Sequence, residues 1–542
     1  MIYKILKILV LVIVFIEPLR AEKPDLILQI TVDQLRSDVI QRHLDRFGPG
    51  GFRYLVDKGA VYTNARYRHA NTMTAAGHAT LATGGNAAQH GMVANSWWDR
   101  QLGEHVNCVQ DEQSPYVDES SRTGRSPRRL ASSTFSDELI LATGGASRSF
   151  GVSTKDRGAI LMAGRGGKAY WYSTQTGRYT TTTWYHRDLP GWAQEWNARD
   201  LAAGYAGQTW SLVAERDSYV ASGRDDRPFE VPRGKLGQTF PHVMADSTSR
   251  RYFSDLRYSP WVDELTLSFT VALIAAEQVG QRGGTDYLSV SLSATDYVGH
   301  AYGPYSLEAE DNLLRLDRVI AALLATVDQA VGLENTLVVL SSDHGVQATP
   351  EYSADHGFQG GRLGTDELLA PLNQHLADYF ETDKLLLSAF SRPSLFFDLD
   401  ALRALGITRS QAEAVLAQEV VALEGFSAAF TRTDLLVGNL PDTALAHSVA
   451  NAFHPQRSGD VYVVAKPFWF FGYSTDGDAA THGSHYPADT HVPLIFAGPG
   501  VPATSVHRPV APRDVAPTLS AYMGVLPPSG SVGDVLAEIV SE

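Results

Sequence analysis

Five short runs of apolar and β-branched residues recur along the chain, each bounded by polar turn residues. Continuous apolar runs of this length are typical of strands that are buried on both faces, as in a parallel sheet. The sequence therefore predicts at least five strands of a mainly parallel sheet. The runs are Leu26–Val32, Phe150–Thr154, Tyr287–Leu292, Thr336–Leu340 and Val492–Ala497.

A long amphipathic helix is predicted between the third and fourth runs. Its apolar stripe, at helical spacing, contains Leu313, Leu316, Ile320, Leu323 and Val327. A strand, a long helix and a second strand in that order form a parallel crossover unit. We therefore predict an α/β fold with a large, mostly parallel central sheet and helices on both faces of that sheet.

Two stretches interrupt this alternation of strands and helices. Residues near 165–265 are rich in Tyr, Trp, Thr, Gly and Arg. Residues near 350–475 combine a helical pattern over Ser410–Leu423 with a later strand over Val461–Lys466. We expect both stretches to be insertions that cap the carboxyl edge of the sheet. The prediction is thus one α/β domain over residues 22–542 with inserted cap segments.

The N-terminus has the pattern of a secretory signal. Lys4 and Lys7 accompany a short apolar run, Ile8–Ile16, and small Ala21 follows. This run is too short for a comfortable membrane span, which needs about 20 apolar residues. We therefore predict a cleaved signal over residues 1–21, rather than a retained membrane anchor. The mature protein is expected to be periplasmic or secreted, without stable membrane insertion.

Charge and cysteine content exclude some classes of function. The formal net charge is −15, which disfavours nucleic acid as a specific partner because such binding needs a basic surface. It does not exclude a small phosphorylated substrate, since a few local cations can override the global field. Cys108 is the single cysteine, so an internal disulfide is impossible and thiol chemistry is disfavoured.

Candidate metal ligands cluster next to the predicted strands. Ligands of open parallel sheets bind beyond the carboxyl ends of the strands, and mixed imidazole and carboxylate groups at short spacing suit zinc. A single aspartate at a strand end is usually a helix cap or an ion-pair partner, so the prediction depends on the joint occurrence. The set comprises Asp33, Asp296, His300, Asp343, His344 and His482.

This set resembles the two-zinc site of the alkaline phosphatase superfamily, in chain order and in local context. The resemblance extends over most of the chain, and it implies an alkaline-phosphatase-like fold. It implies that one zinc ion is held by Asp296, His300 and His482. It implies that the other is held by Asp33, Asp343 and His344, with the oxygen of Thr74 reaching that ion.

The expected nucleophile is Thr74, in the segment Asn-Thr-Met-Thr-Ala-Ala-Gly-His. A helix is predicted to begin directly after it, and a helix N-terminus offers free amides and a positive dipole end to a phosphoryl group. Threonine is a weak nucleophile, so it needs a metal ion to stabilise the alkoxide. Thr72 is a competitor, but the Gly-His continuation after Thr74 matches the nucleophile segment of the superfamily.

Three further residues indicate a narrower group. Lys155 and Arg157 follow a predicted strand, and Asn95 lies in the segment His-Gly-Met-Val-Ala-Asn-Ser-Trp-Trp. They resemble residues of bacterial alkaline phosphatases with a threonine nucleophile, in which the equivalent groups hold the non-bridging phosphate oxygens. The run before Asp296 contains no carboxylate for a magnesium site, and Lys155 supplies positive charge instead. We therefore expect two zinc ions and no required magnesium.

The sequence thus predicts an alkaline phosphatase, a zinc-dependent hydrolase of small-molecule phosphate monoesters that forms a phosphothreonine intermediate on Thr74. A phosphodiesterase or nucleotide pyrophosphatase would share the metal site, but Lys155 and Arg157 occupy the place of a second ester substituent. A sulfatase would need a different nucleophile segment. An inactive metal-binding or phosphate-binding protein is the alternative from another class. The resemblance suggests a monomer.

Overall fold

The computed structural model describes residues 23–120, 122–221, 223–472 and 477–540. The predicted signal segment, residues 1–21, lies outside the described residues. None of the helices within the described ranges is both long and apolar enough to cross a membrane.

The described strands form one nine-stranded sheet, one four-stranded sheet and four two-stranded ribbons. In chain order they are β1 (Leu26–Val32), β2 (Ala60–Tyr62), β3 (Ala65–Arg66), β4 (Ser96–Asp99), β5 (Glu104–Asn107), β6 (Ser149–Ser153), β7 (Lys168–Tyr172), β8 (Tyr179–Thr180), β9 (Thr209–Trp210), β10 (His242–Val243), β11 (Asp286–Leu292), β12 (Thr336–Ser341), β13 (Gly361–Gly364), β14 (Leu387–Ser391), β15 (Ser394–Phe397), β16 (Phe426–Thr431), β17 (Val461–Ala465), β18 (Trp469–Gly472), β19 (His491–Val492), β20 (Leu494–Ala497) and β21 (Thr504–Val506).

The α-helices of the described ranges vary from single turns to a helix of 24 residues. In chain order they are α1 (Ser37–Arg42), α2 (Phe52–Lys58), α3 (Thr74–Thr83), α4 (Ala87–His90), α5 (Phe135–Ala142), α6 (Asp156–Ala163), α7 (Gly191–Ala198), α8 (Tyr252–Asp255), α9 (Trp261–Glu277), α10 (Ala294–Tyr302), α11 (Leu307–Ala330), α12 (Pro350–Asp355), α13 (Thr365–Tyr379), α14 (Leu399–Ala404), α15 (Arg409–Ala422), α16 (Arg432–Val437), α17 (Ala444–Ala452), α18 (Pro487–Thr490), α19 (Val515–Met523) and α20 (Ala537–Val540).

The large sheet has the strand order β21-β2-β20-β12-β1-β11-β6-β7-β8. Strands β12, β1, β11, β6 and β7 are mutually parallel, which confirms the predicted mostly parallel sheet. The last predicted strand, β20, instead pairs antiparallel with β12. The reason is that the preceding loop, which carries His482, already lies at the carboxyl edge, so the strand that follows must run away from that edge.

Helices cover both faces of the sheet, as predicted. The amphipathic stripe falls within α11, and Ile320 of that helix shares one core with Leu28 of β1. The neighbouring residue Ile27 points the other way and shares a second core with Leu81 of α3 and Leu519 of α19. This alternation explains the unbroken apolar sequence of β1, because both faces of a central strand are buried.

The two stretches outside the regular alternation differ in structure. Residues 350–475 contain the separate sheet β14-β15-β17-β16, which packs against α13 and α15 through a core that includes Leu376, Leu416 and Val463. In residues 165–265, β7 and β8 extend the main sheet. The rest of that stretch carries α7, α8 and the β9–β10 ribbon.

Candidate metal centre and nucleophile

The predicted ligands meet at the carboxyl edge because their strands are neighbours. Asp33 follows β1, and Asp343 and His344 follow β12, which pairs with β1. On the other side of β1, β11 leads into α10, which carries Asp296 and His300 one turn apart. Parallel strands end at the same edge, so residues that are far apart in sequence become neighbours.

The structure brings these side chains into two overlapping groups whose candidate ligand atoms lie within 4.8 Å of one another. One group is Asp33, Asp343 and His344, and the other is Asp296, His344 and His482. His344 therefore lies between the groups, although the sequence analysis assigns it to the first alone. His300, also assigned to the second group, has its Nε2 3.2 Å from Asp296 Oδ1.

All three histidines present Nε2 to the centre, because backbone carbonyls engage their Nδ1 atoms. The Nδ1 atom of His300 lies 2.9 Å from Ala480 O, and that of His482 lies 2.8 Å from Thr72 O. The Nδ1 atom of His344 lies 3.0 Å from the carbonyl of the next residue. A hydrogen bond at one ring nitrogen fixes the orientation and leaves the other nitrogen as a ligand.

The carboxylates of the centre are buried, and some of their oxygens lack a hydrogen-bond donor. Asp33 Oδ1 and Asp343 Oδ2 accept no hydrogen bond from any described residue. Burial raises the pKa of Asp33 well above its ordinary value, and the charges of Asp296 and Asp343 raise it further. Unpaired buried charge is costly. The donor set therefore fits divalent cations, which would neutralise the carboxylates.

The positive charge of Lys155 offsets part of the negative charge of these carboxylates. Its Nζ lies 2.5 Å from both Asp33 Oδ2 and Asp296 Oδ2. Burial alone would lower the pKa of Lys155, but the charges of Asp296 and Asp33 raise it above its ordinary value. Burial lowers the pKa of His344 to about 3, so this imidazole is in the neutral form that binds metals.

Thr74 is the first residue of α3, and its Oγ1 lies 3.4 Å from His344 Nε2. Helix α3 reaches this position because Gly77 has no side chain. A Cβ at Gly77 would lie 2.0 Å from the carbonyl oxygen of Asp343. His78, one turn further along α3, has Nε2 2.9 Å from Ser291 Oγ and Nδ1 2.9 Å from Thr74 O.

Asn95 and Arg157 flank the nucleophile and the lysine. Asn95 Oδ1 accepts a hydrogen bond of 2.9 Å from the backbone N–H of Ala75, in the first turn of α3. Arg157 lies in the first turn of α6, and its Nε makes no hydrogen bond within the described ranges. The neighbouring Asp156 pairs with Arg125 at 2.8 Å and, more distantly, with Arg157 Nη1 at 3.8 Å. The Arg157 guanidinium therefore retains hydrogen-bonding capacity for an anion.

Gln34 is a contact residue that sequence reasoning missed. Its Nε2 donates to Asp296 Oδ1 at 2.9 Å, and its backbone N–H donates to Asp343 Oδ1 at 3.2 Å. It thus joins a carboxylate of each group. Space for its side chain exists because Gly299 has no Cβ, which would lie 1.9 Å from Gln34 Oε1. Gly299, the glycine of the Asp-Tyr-Val-Gly-His segment, was the sequence feature that could have indicated this close approach.

Asp263 is a second missed residue, and it acts at the start of α10. Its Oδ1 accepts the backbone N–H groups of Ser293 at 2.8 Å and Ala294 at 3.1 Å. Burial raises the pKa of Asp263 to about 7. This carboxyl group fixes the helix that carries Asp296 and His300. Because Asp263 lies in α9, far in sequence from Ser293 and Ala294, no local sequence pattern predicts the contact.

Replacing Gln34 with Asn tests its contact with the metal centre. The backbone at Gln34 has a φ of 70°, a conformation that Asn adopts more readily than most residues. The shorter amide would no longer reach Asp296, so the affinity of the centre for a divalent metal ion should fall roughly tenfold to hundredfold. Titration with a competing chelator measures this affinity. Gln29→Asn, a matched change in buried β1, should leave it unchanged; equal affinities of wild type and Gln34→Asn would contradict the prediction.

Comparisons with known proteins agree with this geometry. The profile of the type I phosphodiesterase / nucleotide pyrophosphatase family matches residues 27–488. The chain is 33% identical to alkaline phosphatase PhoV of Synechococcus elongatus, over 96% of this chain and 94% of that protein. It is 32% identical to alkaline phosphatase PafA of Elizabethkingia meningoseptica, over 96% and 95% respectively.

Solved structures extend the comparison to three dimensions. The crystal structure of wild-type PafA superposes with a TM-score of 0.88 at 31% identity, covering 96% of this chain and 99% of that one. Murine ectonucleotide pyrophosphatase / phosphodiesterase 5 shares the fold, with a TM-score of 0.53 at 14% identity, over 92% of this chain and 95% of that one. The chain therefore belongs to the type I phosphodiesterase / nucleotide pyrophosphatase family and has the fold of the alkaline phosphatase PafA.

Proposed function

We propose that this protein is an alkaline phosphatase, an enzyme that hydrolyses phosphate monoesters through a phosphothreonine intermediate on Thr74. The observation that carries the proposal is the position of Thr74 Oγ1. It lies at the N-terminus of α3 and 3.4 Å from His344, the histidine common to both groups of candidate ligands. The chain is similar to PhoV and PafA, which are both named alkaline phosphatases, and this similarity supports the same activity.

The cofactors of this proposal are two zinc ions. Asp296, His300 and His482 would hold one, and Asp33, Asp343 and His344 would hold the other together with the Thr74 oxygen. Mixed nitrogen and oxygen donors suit zinc. Bound zinc would supply charge stabilisation to the attacking and leaving oxygens. No magnesium is required, since Lys155 already places a positive charge beside Asp33 and Asp296.

The chain's own groups divide the work of phosphoryl transfer. Thr74 Oγ1 loses its proton to solvent and attacks phosphorus, while the bond from phosphorus to the substrate's ester oxygen breaks. The leaving oxygen takes up a proton from solvent and departs as the alcohol. Water then loses a proton and attacks phosphorus, the bond from phosphorus to Thr74 Oγ1 breaks, and phosphate is released as Thr74 Oγ1 regains its proton. The positive dipole end at the N-terminus of α3 favours the negative phosphoryl group throughout. Catalysis of this kind depends mainly on positioning and charge stabilisation.

Lys155, Arg157 and Asn95 account for the preference for monoesters. A monoester dianion has charged oxygens beyond those near the metal centre, and two cations with an amide can stabilise them in the transition state. A diester carries its second substituent in that direction. Phosphodiesterase or nucleotide pyrophosphatase activity is the second candidate, favoured by the family to which the chain belongs. We expect it as a side activity.

The remaining parts of the proposal concern the whole protein. The pattern over residues 1–21 supports export to the periplasm or beyond, with residues 22–542 as the mature α/β domain. The sequence predicts the stretch near 165–265 as an insertion, but its strands β7 and β8 belong to the main sheet. The part of it that follows β8, and the stretch near 350–475, are proposed as insertions that shape the mouth of the site. We propose that the enzyme acts as a monomer on small-molecule phosphate monoesters.

Replacing Arg157 with Ala tests the monoester preference. The change should lower kcat/KM for an aryl phosphate monoester by roughly a hundredfold, the usual cost of one transition-state charge contact. It should lower kcat/KM for the matched diester by less than tenfold, because the diester lacks the second charge. Steady-state kinetics with both substrates measures the two effects.

A matched control for this experiment is Arg187→Ala, since the Arg187 side chain is 98% exposed. It should leave both activities unchanged. Equal losses for the monoester and the diester in Arg157→Ala would assign Arg157 a general role and contradict its part in the preference. A wild-type enzyme that prefers the diester would favour the second candidate function.

Removal of metal should destabilise the protein, because Asp33, Asp296 and Asp343 are buried together. A ligand at a hundredfold excess over its Kd stabilises the folded state by about 2.7 kcal/mol. Thermal unfolding should therefore begin at lower temperature after dialysis against a chelator. Zinc should restore the original transition and magnesium should not. An unchanged transition in zinc-free protein would argue against bound zinc.

A further inference from the structure

Tyr297 places an aromatic ring against Lys155. It follows Asp296 directly on α10, and consecutive residues of a helix point about 100° apart. The carboxylate of Asp296 and the ring of Tyr297 therefore meet the same lysine from different directions. Lys155 Nζ lies 2.5 Å from Asp296 Oδ2 and 5.0 Å from the centroid of the Tyr297 ring.

The ring of Tyr297 attracts the ammonium group in a way that bound metal would not weaken. A cation within about 6 Å of a tyrosine ring centroid is attracted by the negative face of the ring, most strongly where water is excluded, and the Lys155 side chain is only 3% exposed. Asp33 and Asp296 are candidate metal ligands, so a divalent ion would compete with Lys155 for their negative charge. The ring is not a candidate ligand, so its attraction is outside this competition.

A second cation fixes the position of the ring. Arg257, between α8 and α9, donates from Nη1 to the Tyr297 hydroxyl group at 2.9 Å, and its guanidinium carbon lies 4.7 Å from the ring centroid. Ser254 holds the other guanidinium nitrogens, since its Oγ accepts from Nη2 at 2.9 Å and its carbonyl accepts from Nε at 3.0 Å. The ring of Tyr258 packs against Tyr297 with centroids 5.2 Å apart. The ring orientation is therefore set by residues that follow β8.

The position of the Lys155 ammonium group matters for the proposed reaction. An ammonium group has three N–H donors, and Asp33 and Asp296 engage two of them. The third can donate to a non-bridging oxygen of a phosphoryl group at Thr74. A monoester dianion carries one charge more than a diester, so its transition state depends more strongly on where this cation lies.

We propose that Tyr297 is a positioning residue for Lys155, and that Arg257 holds Tyr297 in place. The proposal rests on the proposed phosphatase function and on the part of Lys155 in the preference for monoesters. Tyr297 acts through Lys155 and needs no contact with the phosphoryl group. Through Arg257, the segment between β8 and α9 contributes to the reaction.

Replacing Tyr297 with Leu removes the ring and tests the proposal. It should lower kcat/KM for an aryl phosphate monoester roughly tenfold to thirtyfold, the value of a desolvated cation–π contact. It should lower kcat/KM for the matched diester by less than about threefold. Tyr297→Phe keeps the ring and should stay within about threefold of the wild type for both substrates. Steady-state kinetics of the zinc-loaded protein gives the ratio of the two values.

The same substitution in a Lys155→Ala background shows whether the ring acts through the lysine. Lys155→Ala alone should lower the monoester-to-diester ratio. Adding Tyr297→Leu should lower that ratio by less than about threefold further, because the effects of two residues that share one contact are not additive. Fully additive losses would overturn the proposal.

Tyr302→Leu is the matched control, because Tyr302 is a buried tyrosine of the same helix whose hydroxyl group donates to Gly237 O at 3.0 Å. It should leave the ratio unchanged, since misfolding or loss of metal lowers both activities together. A wild-type ratio in Tyr297→Leu, or equal losses in Tyr297→Phe and Tyr297→Leu, would overturn the proposal, while monoester turnover by the wild type would still uphold the phosphatase function. Absence of wild-type turnover of both substrates would overturn both.

Discussion

The structure depends on the burial of three carboxylates at one edge of a sheet. Asp33, Asp296 and Asp343 are almost fully inaccessible to solvent, and Lys155 is the cation in direct contact with two of them. Carboxylates crowded in this way repel one another and lose hydration. The arrangement is stable only with compensating positive charge, and the same charge is what phosphoryl transfer needs. Metal binding and catalysis therefore both depend on this buried cluster of carboxylates.

Close contacts with the backbone help to hold these groups together. Gly77 lets α3 approach the carbonyl of Asp343, and Gly299 makes room for Gln34. Asp263 fixes the first turn of α10 through two backbone hydrogen bonds. Each contact joins elements that follow different strands. Small displacements of any of these elements would alter ligand geometry, which explains why the centre lies on a large rigid sheet rather than on loops alone.

Much of this could be predicted from the sequence because the signals are local. The apolar run of β1 and the acidic residue directly after it are adjacent in sequence, and the same is true of β12 with Asp343 and His344. Gln34 and Asp263 were missed because their partners are distant in the chain. Two features were missed because they depend on the path of the chain back to the carboxyl edge of the sheet, which no local pattern shows. They are the position of His344 between the two groups and the antiparallel direction of β20.

The assignment of the nucleophile is the central claim of this account, and chemical trapping tests it most directly. The zinc-loaded enzyme would be mixed with an aryl phosphate monoester, quenched in acid within the first turnover, and digested for peptide mass spectrometry. The account predicts phosphate on Thr74. Phosphate on Thr72 or on another residue, or turnover without any phosphorylated peptide, would contradict it.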